Sequence, residues 1–382
     1  MGIISRGRSK HRPRNDARLF GGSYPFIQTG DIGSAGLYVT EYSQTYNEEG
    51  LAQSKLWEKD TLCITIAANI ADTALLAFPA CFPDSIMGFT PHKNIANVKF
   101  VKYCFDVLQK DCQQISQGTA QDNLSWKKLS TILFPCPPIE IQNKIATILS
   151  RYDSLIENYQ KQIKLLEESA QRLYKEWFID FRFPGHENTK IVDGVPEGWE
   201  KKSIADLGTY LNGFAFKPSD WQERGKPIIK IKEMGNGIST DTPRNNGERV
   251  PEKYLIKSGD LLFSWSATLM VIVWTGEEGW LNQHLFKVTP TQGIGREFLL
   301  QSISKTIAEF SNLTTGSTMK HIQRNKLEQV FVNTPTSEIM NCYCRIAERQ
   351  REQILNISSQ ISHLTEARDR LLPKLMNGEI EM

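Results

Sequence analysis

A stretch of about 40 residues, from Pro137 to Phe178, constrains the fold of this chain more than any other. Its apolar residues recur in steps of four and three, with one doubled step of four at Tyr159. This spacing predicts a long helix with a coiled-coil seam, about 60 Å in length at about 1.5 Å per residue. Such a helix needs a partner to cover its apolar stripe. The predicted seam consists of Ile141, Ile145, Ile148, Tyr152, Leu155, Tyr159, Ile163, Leu166, Ala170, Leu173 and Trp177.

The expected partner is a second helix in the same chain, because the sequence contains an internal duplication. A shift of 198 positions lays the first long helix on a second one that begins near Pro335, with 17 identities over the 61 residues from 118 to 178 and no gap. Two unrelated segments of this length and of ordinary composition would share roughly four identities. We therefore predict two long helices lying antiparallel. Pro373 predicts that the second helix ends or kinks about one turn before the first.

The duplication divides the chain into four parts and predicts an α+β fold. Residues 1–136 and 183–334 form two mixed α/β domains, and residues 137–182 and 335–382 form the two coiled-coil helices. The second domain opens with the segment GWEKKSIADLG, which has no counterpart ahead of Met1. We therefore expect the first domain to lack its opening strand or helix, or to recruit that piece from elsewhere.

Composition limits the classes of function. With 40 % hydrophobic and 23 % charged residues the chain is typical of a globular protein, and a net charge of +2 is too small to indicate a nucleic-acid partner by itself. Seven cysteines without a CxxC motif are typical of reduced, cytosolic thiols. No targeting segment is visible, and the most membrane-like stretch, Thr61 to Phe82, contains polar residues and predicts buried strands instead. A cytoplasmic protein without a membrane partner is expected.

Motifs of catalysis, cofactor binding and metal binding are not found in the sequence. Cys342 and Cys344 lie two residues apart on the second helix, hence about 200° apart around its axis, so they cannot both face one metal ion. The six histidines form no HxxxH pair, and there is no GxxxxGK[ST] phosphate loop and no GxGxxG motif. No catalytic, cofactor or metal site is therefore predicted.

Basic loops and amide-rich turns are the remaining candidates. Arginine and lysine neutralise phosphates, while glutamine and asparagine can pair with adenine in the major groove. Each residue alone is better explained as part of a solvated surface, but two such sets at duplicated positions favour DNA binding. The predicted DNA-binding residues are Arg8, Lys10, Arg12, Arg14, Arg18, Gln117, Gln121 and Asn123 in the first domain, and Lys217, Lys230, Lys232, Lys320, Gln323, Arg324 and Lys326 in the second.

Longer motifs resemble a known family. The Pro-Pro start, the string EIQNKIATIL and the ending LLEESAQRLYKEWFIDFR of the first helix are similar to the central conserved region of the specificity subunit of type I restriction and modification enzymes. The string WLNQHLFKVTP and the duplicated pair GSTMKHIQRNKL and GTAQDNLSWKKL also resemble that family, so the resemblance covers nearly the whole chain. The one departure is the opening segment of the first domain.

The resemblance implies two target recognition domains separated by two conserved helices. Each domain would read one half of a bipartite site in double-stranded DNA, and the helices would set the unread gap. The subunit would have no activity and no cofactor of its own. It would hold two methylation subunits, which use S-adenosylmethionine to methylate adenine, and two restriction subunits. Because the two domains differ in most polar loop residues, an asymmetric target is expected.

Two other classes of function remain open. One is a stand-alone DNA-binding regulator, which would bind its site tightly without an enzyme partner. The other is a truncated or silent specificity cassette, which would fold poorly because its first domain lacks an opening element.

Overall fold

The computed structural model describes residues 1–67, 69–116, 124–313 and 324–382. It divides into two compact units. The first unit comprises Met1–Tyr159 together with Ile361–Met382, and the second unit comprises Gln160–Gln360. Each unit therefore combines one of the predicted α/β domains with parts of both long helices.

Nine strands and four complete helices lie in the first unit within the described residues. The strands are β1 Gly2–Arg6, β2 Phe20–Phe26, β3 Tyr38–Val39, β4 Gln44–Tyr46, β5 Leu56–Trp57, β6 Leu62–Thr65, β7 Thr73–Leu76, β8 Ala80–Cys81 and β9 Ile86–Pro91. The helices are α1 Thr29–Ser34, α2 Glu48–Gln53, α3 Val98–Ser116 and α4 Trp126–Leu129, followed by the long helix α5 Ile139–Tyr174, which ends in the second unit.

Two sheets form the body of the first unit. The larger has the strand order β1-β9-β6-β7-β3 and the smaller the order β4-β2-β8-β5. All four residues of the central strand β6 are buried, which explains its uninterrupted apolar and β-branched sequence. Helix α3 packs against β7 and buries one apolar face, including Phe100 and Tyr103, in the same core.

The second unit repeats this plan. Its strands are β10 Ile191–Val192, β11 Val195–Pro196, β12 Glu200–Ser203, β13 Gly208–Asn212, β14 Lys226–Ile229, β15 Arg244–Asn245, β16 Leu255–Ile256, β17 Leu261–Ser264, β18 Met270–Val273, β19 Gly279–Leu281, β20 Leu285–Pro290 and β21 Phe331–Thr334. Its helices are α6 Ile231–Asn236, α7 Arg296–Leu313, α8 Arg324–Leu327 and the first part of α9 Ser337–Met376.

The sheets of the second unit have the strand orders β13-β20-β17-β18 and β15-β14-β19-β16, with the pair β12-β21 beside them. Register confirms the duplication. The pairing of Gly2 with Pro91 in β1 and β9 is repeated by Gly208 with Pro290 in β13 and β20. Strand β12 belongs to the opening segment, and among the described residues of the first unit no strand corresponds to it.

Segments of α5 and α9 run antiparallel within each unit. In the first unit Asp153 pairs with Arg368 at 2.7 Å, and Ile145 of α5 shares a core with Leu375 of α9. In the second unit Ser169 accepts a hydrogen bond from Gln350 at 3.1 Å, and the rings of Trp177 and Tyr343 lie 5.9 Å apart. In both cases the residue number falls along α9 as it rises along α5.

The first half of α5 buries a broader face than the predicted seam. Leu155, which the heptad pattern places on the seam, is 38 % exposed, whereas its neighbour Ile156 is 8 % exposed. The cause is that this half of the helix also packs against α3, where the Tyr103 hydroxyl donates a hydrogen bond to the Asp153 carboxylate. The prediction of Leu155 as a seam residue is therefore wrong, because the contact with α3 turns a neighbouring face of α5, which includes Ile156, into the core.

Pro373 does not end α9, which continues to Met376. The predicted early end is wrong because the last turn packs into a core and its helical hydrogen bonding resumes after the proline; the alternative, a kink at Pro373, stays a prediction. Leu375 is buried in the core of the first unit, and the Asn377 amide donates a hydrogen bond to the Pro373 carbonyl at 3.0 Å. Among the helices described, none combines the length and the apolar character that crossing a membrane requires.

Candidate nucleic-acid interface

A basic loop connects β1 to β2 in the first unit. Its predicted DNA-binding residues Arg8, Lys10, Arg12, Arg14 and Arg18 are all exposed. The backbone beneath them is fixed by hydrogen bonds to distant residues. The amides of residues 10 and 11 both donate to the Gln53 side chain, at 2.6 and 3.0 Å, and Ser54 donates to the carbonyl of residue 8 at 2.7 Å. The loop therefore presents its cations from a defined backbone.

Three of these arginines are paired with acids. Arg14 and Arg12 lie 2.5 and 3.6 Å from the two carboxylate oxygens of Asp84, and Arg18 lies 2.7 Å from Asp16. The hydrogen bond from Arg18 holds the pKa of Asp16 well below its ordinary value, so this carboxylate stays ionised. Ion pairs at the protein surface are weak, so a DNA phosphate can replace the acid.

An open groove of about 640 Å³ lies beside this loop. It is lined by Arg14 and by three amide side chains, Asn15, Gln28 and Gln44, and the Gln28 amide donates a hydrogen bond to the Gln44 carbonyl oxygen at 2.9 Å. Amide side chains can read adenine bidentately, and the arginine can bind phosphate or guanine. Sequence reasoning missed these three amides, because the loop from β1 and the end of β2 meet only in the folded unit.

Two of the lysines predicted in the second unit, Lys230 and Lys232, directly follow strand β14. The ammonium group of Lys230 lies 5.4 Å from the ring centre of Trp221, and Lys232 forms an ion pair with Asp241 at 2.5 Å. Hydrogen bonds from Lys232 and then Ser239 lower the pKa of Asp241 to about 2. Lys217 is exposed, and its backbone amide donates to Asp220 at 2.6 Å just ahead of Trp221.

Gln28 and Lys230 occupy equivalent positions in the two units. Each follows the strand that pairs in parallel with β8 or β19, and each begins a short helix, α1 or α6. In both cases the backbone amide donates a hydrogen bond to an acid three residues later. Gln28 donates to Asp31 at 2.7 Å, and Lys230 donates to Glu233 at 3.0 Å. The backbone is thus the same but the presented side chain is an amide in one unit and a cation in the other. This equivalence is the signal by which Gln28 could have been found.

Not every predicted residue joins these two surfaces. Lys326 lies on α8, which packs against the turn 204–207, and its ammonium group donates to Gln329 at 3.3 Å. The structure does not bring it to the lysines around β14. The predictions Gln117, Gln121, Asn123, Lys320 and Gln323, and the side chain of Arg324, lie outside the described residues.

A metal centre is not found in the part of the chain that the structure describes. No group of three or more histidine, cysteine, aspartate or glutamate side chains there is placed to hold an ion. Both surfaces instead combine exposed cations with amide or aromatic side chains. This chemistry suits a polyanion that also presents flat, hydrogen-bonding bases.

Comparison with known proteins identifies a matching family model. Residues 3–168 and 196–368 both match the model described as Type I restriction modification DNA specificity domain. The two matches cover both repeats of the chain, including most of both long helices.

Curated relatives and a solved structure agree with this match. The chain is 25 % identical to the MjaIX specificity subunit of Methanocaldococcus jannaschii over 95 % of its own length and 88 % of the relative. It is 24 % identical to the HindI specificity subunit of Haemophilus influenzae over 96 % of its own length and 97 % of the relative. Its fold is similar to the crystal structure of a type I restriction-modification S subunit from M. genitalium, with a TM-score of 0.55, 15 % identity, and coverage of 98 % and 93 % of the two chains.

Proposed function

This chain belongs to the family of type I restriction modification DNA specificity domains, and we propose that each of its two units reads one half of an asymmetric, bipartite DNA target. The chain is the DNA-recognition subunit of such a system. The proposal concerns how recognition is divided between the units, which bases are read, and how the gap between the half-sites is fixed.

The difference between two equivalent surfaces supports the proposal most strongly. Gln28 and Lys230 stand at the same backbone position, yet one is an amide next to Gln44 and the other is a cation over Trp221. Amides discriminate adenine, whereas cations contact phosphate or guanine. Two readers with the same frame and different side chains will select different half-sites.

The basic loop of the first unit supplies affinity rather than sequence selectivity. Arginines paired with surface acids can exchange these for phosphates, and each phosphate contact releases condensed counterions. The adjacent groove with Asn15, Gln28 and Gln44 is then positioned against base edges. In the second unit Lys217 and Lys232 contact phosphates, as the basic loop does in the first unit. Trp221 and Lys230 contact base edges, as the groove does.

The long helices α5 and α9 set the length of the unread spacer in this proposal. Both begin in one unit and end in the other, and α5 has 36 residues, which is about 54 Å of helix. A continuous helix transmits length because every backbone hydrogen bond is satisfied within it. The spacer is therefore a property of the helices and not of the reading surfaces.

The chain acts together with enzyme subunits. Type I specificity subunits bind DNA and assemble with methylation and restriction subunits, and we propose two copies of each here. The chain itself is non-catalytic in this proposal, and adenine methylation with S-adenosylmethionine takes place in the methylation subunits. The exposed charged side chains of α5, including Lys144, Arg151 and Lys161, are the proposed docking surface for these subunits.

Selection from a random pool of duplex DNA tests the proposal. The chain is purified with its methylation subunits, and bound duplexes are enriched and sequenced. We expect two short selected blocks of different sequence, separated by a fixed number of unselected base pairs. A single continuous block or a palindrome would contradict the division into two readers. Equally tight and selective binding by the chain alone would favour the stand-alone regulator.

A further inference from the structure

The turn between β19 and β20 of the second unit, residues 282–284, carries three consecutive polar side chains with the sequence NQH. Strand register shows which residues correspond to it in the first unit. Ser264 pairs with Leu285 in β17 and β20, as Thr65 pairs with Ile86 in β6 and β9. Counted back from these pairs, the equivalents of the three polar residues are, in order, Pro83, Asp84 and Ser85.

This equivalence places the turn beside the reading surface of the second unit. In the first unit both neighbours of Asp84 line the amide groove together with Gln28. In the second unit the backbone amide of Asn282 donates a hydrogen bond at 3.1 Å to the carbonyl of Ile229, the residue just before Lys230. The turn therefore adjoins Lys230 as its counterpart adjoins Gln28.

Contacts on three sides hold the imidazole ring of His284. Its Nδ1 atom lies 3.3 Å from the hydroxyl of Ser266, a residue that is only 3 % exposed. Its Nε2 atom lies 3.4 Å from the side-chain nitrogen of Gln283. The ring of Trp265 lies 5.8 Å from the imidazole, between centres, and its indole N–H donates to the Asn212 side chain at 3.2 Å. The ring is thus fixed against a buried hydroxyl and an anchored indole.

The fixed imidazole leaves the Gln283 amide with one donor and one acceptor. When the amide nitrogen donates to Nε2, the ring proton is on Nδ1 and is donated to the Ser266 hydroxyl. Gln283 is partly exposed, and among the described residues none donates a hydrogen bond to its carbonyl oxygen. That oxygen and the second N–H match N6–H and N7 of adenine in the major groove.

We propose that Gln283 reads an adenine in the half-site of the second unit, through a bidentate contact in the major groove, and that His284 positions its amide. The inference rests on the proposed function, in which the second unit reads one half-site. The contact is specific to that half-site. The equivalent Asp84 is a carboxylate that accepts hydrogen bonds only, and it pairs with Arg12 and Arg14.

A change of the reading group tests the proposal. Gln283→Glu replaces the amide by a carboxylate, which accepts from the amino group of cytosine and cannot donate to adenine N7. The complex with methylation subunits selects duplexes from a random pool. We expect one A·T pair in one block to lose its preference by about tenfold or more, in favour of C·G. Gln292→Glu, at an exposed amide beyond the other end of β20, is the matched control and leaves both blocks unchanged.

A base analogue tests the same contact without altering the protein. 7-Deazaadenine lacks the N7 acceptor but keeps the amino group and the base pair. At the position that Gln283 reads, it should weaken binding of the wild-type complex by about tenfold. It should weaken the Gln283→Ala complex no further, because the partner of N7 is already missing.

The positioning role of His284 has its own test. His284→Ala should relax selection at the base pair read by Gln283 and leave the other positions of the block unchanged. His284→Gln places an amide near the position of Nε2 and should restore the selection. Thermal melting accompanies both variants. A purely structural role predicts a lower melting temperature and relaxed selection throughout the block.

Several outcomes would overturn the inference while the two-block motif of the wild type stands. They are an unchanged motif for Gln283→Glu, a change spread over the whole block, a block without adenine, or no effect of 7-deazaadenine at any adenine of that block. Failure of the wild type to select two blocks contradicts the proposed function itself. The two failures are therefore distinguished by the wild-type selection.

Discussion

At the residue scale, acids beside the basic loop decide how much of its positive charge is available to the proposed DNA contact. Asp84 lies within 3.6 Å of both Arg12 and Arg14, and Asp16 pairs with Arg18. The loop is thus less positive than its sequence indicates. This pairing could not be read from the sequence, because Asp84 is 70 positions away from Arg14 and meets it only through the pairing of β1 with β9.

Asp84→Asn should strengthen non-specific DNA binding. The substitution removes the shared counter-charge of Arg12 and Arg14 but keeps the shape of the side chain. Each arginine that is released to a phosphate steepens the slope of log K against log salt by about 0.9. Fluorescence anisotropy with an unrelated duplex between about 50 and 200 mM salt measures this slope. Asp111→Asn, at an exposed acid on α3, is the matched control, and an equal slope for both variants would contradict the role of the loop.

Arg351→Met should destabilise the second unit by about 3 kcal/mol, because it leaves the carboxylate of Glu297 buried with less compensation. Arg351 forms a two-pronged pair with Glu297, at 3.1 and 3.2 Å, and both side chains are almost fully buried. The estimate is at the lower end of the usual range because Arg296 still contacts Glu297 at 3.1 Å. Urea denaturation measures the loss, and Arg349→Met, an exposed neighbour on α9, is the control. Equal stability of the two variants would show that the pair is not buried in solution.

At the element scale, periodicity is a reliable guide to which segments are helical and a weaker guide to which face is buried. The long helix around residues 139–174 was predictable because its signal is local and repeats many times. The exposure of Leu155 and the continuation of α9 past Pro373 depend on partners that are distant in sequence, namely α3 and the core around Leu375. For the same reason the amide groove as a whole could not be predicted, since its members come from three separate segments, and only Gln28 could have been found, through its equivalence to Lys230.

Ile156→Ala and Leu155→Ala should differ strongly in their cost. Because Ile156 is buried, its substitution should lower the free energy of unfolding by about 2–5 kcal/mol. Because Leu155 is much more exposed, its substitution should lower it by less than about 1 kcal/mol. The two side chains are neighbours of nearly equal size, so each serves as the control for the other. Chemical denaturation of both variants measures the difference. A larger loss of stability for Leu155→Ala would show that Leu155 is the buried residue, as the heptad pattern predicts.

At the scale of the whole molecule, the chain is a duplication whose two units share a backbone plan and have diverged in surface side chains. The register of the outer strands, the antiparallel helix segments and the short helix after β2 or β14 are shared by the two units. The side chains presented at the reading surfaces are not. The duplication, and with it the family, was visible in the sequence alone, because helix seams tolerate few insertions. The sequence alone does not show which unit would read which half-site, because that depends on loops that have diverged in length.

Removing one heptad from each long helix should shorten the DNA spacer. Deleting residues 160–166 of α5 and 354–360 of α9 removes about 10.5 Å of helix and keeps the apolar phase. At about 3.4 Å per base pair the selected half-sites should move closer by about three base pairs, with their sequences unchanged. Selection from a random duplex pool measures the spacing. An unchanged spacer in a well-folded variant would show that the helices do not set it.

A map of methylated adenines in cells that carry this chain with its methylation and restriction subunits tests the central claim most directly. The wild-type map should show one motif made of two unlike blocks with a fixed gap. The Trp221→Ala map should show relaxed selectivity in one block only, because Trp221 packs under Lys230 in the reading surface proposed for the second unit alone. A continuous or palindromic motif, or a change in both blocks, would contradict the division of recognition between the two units.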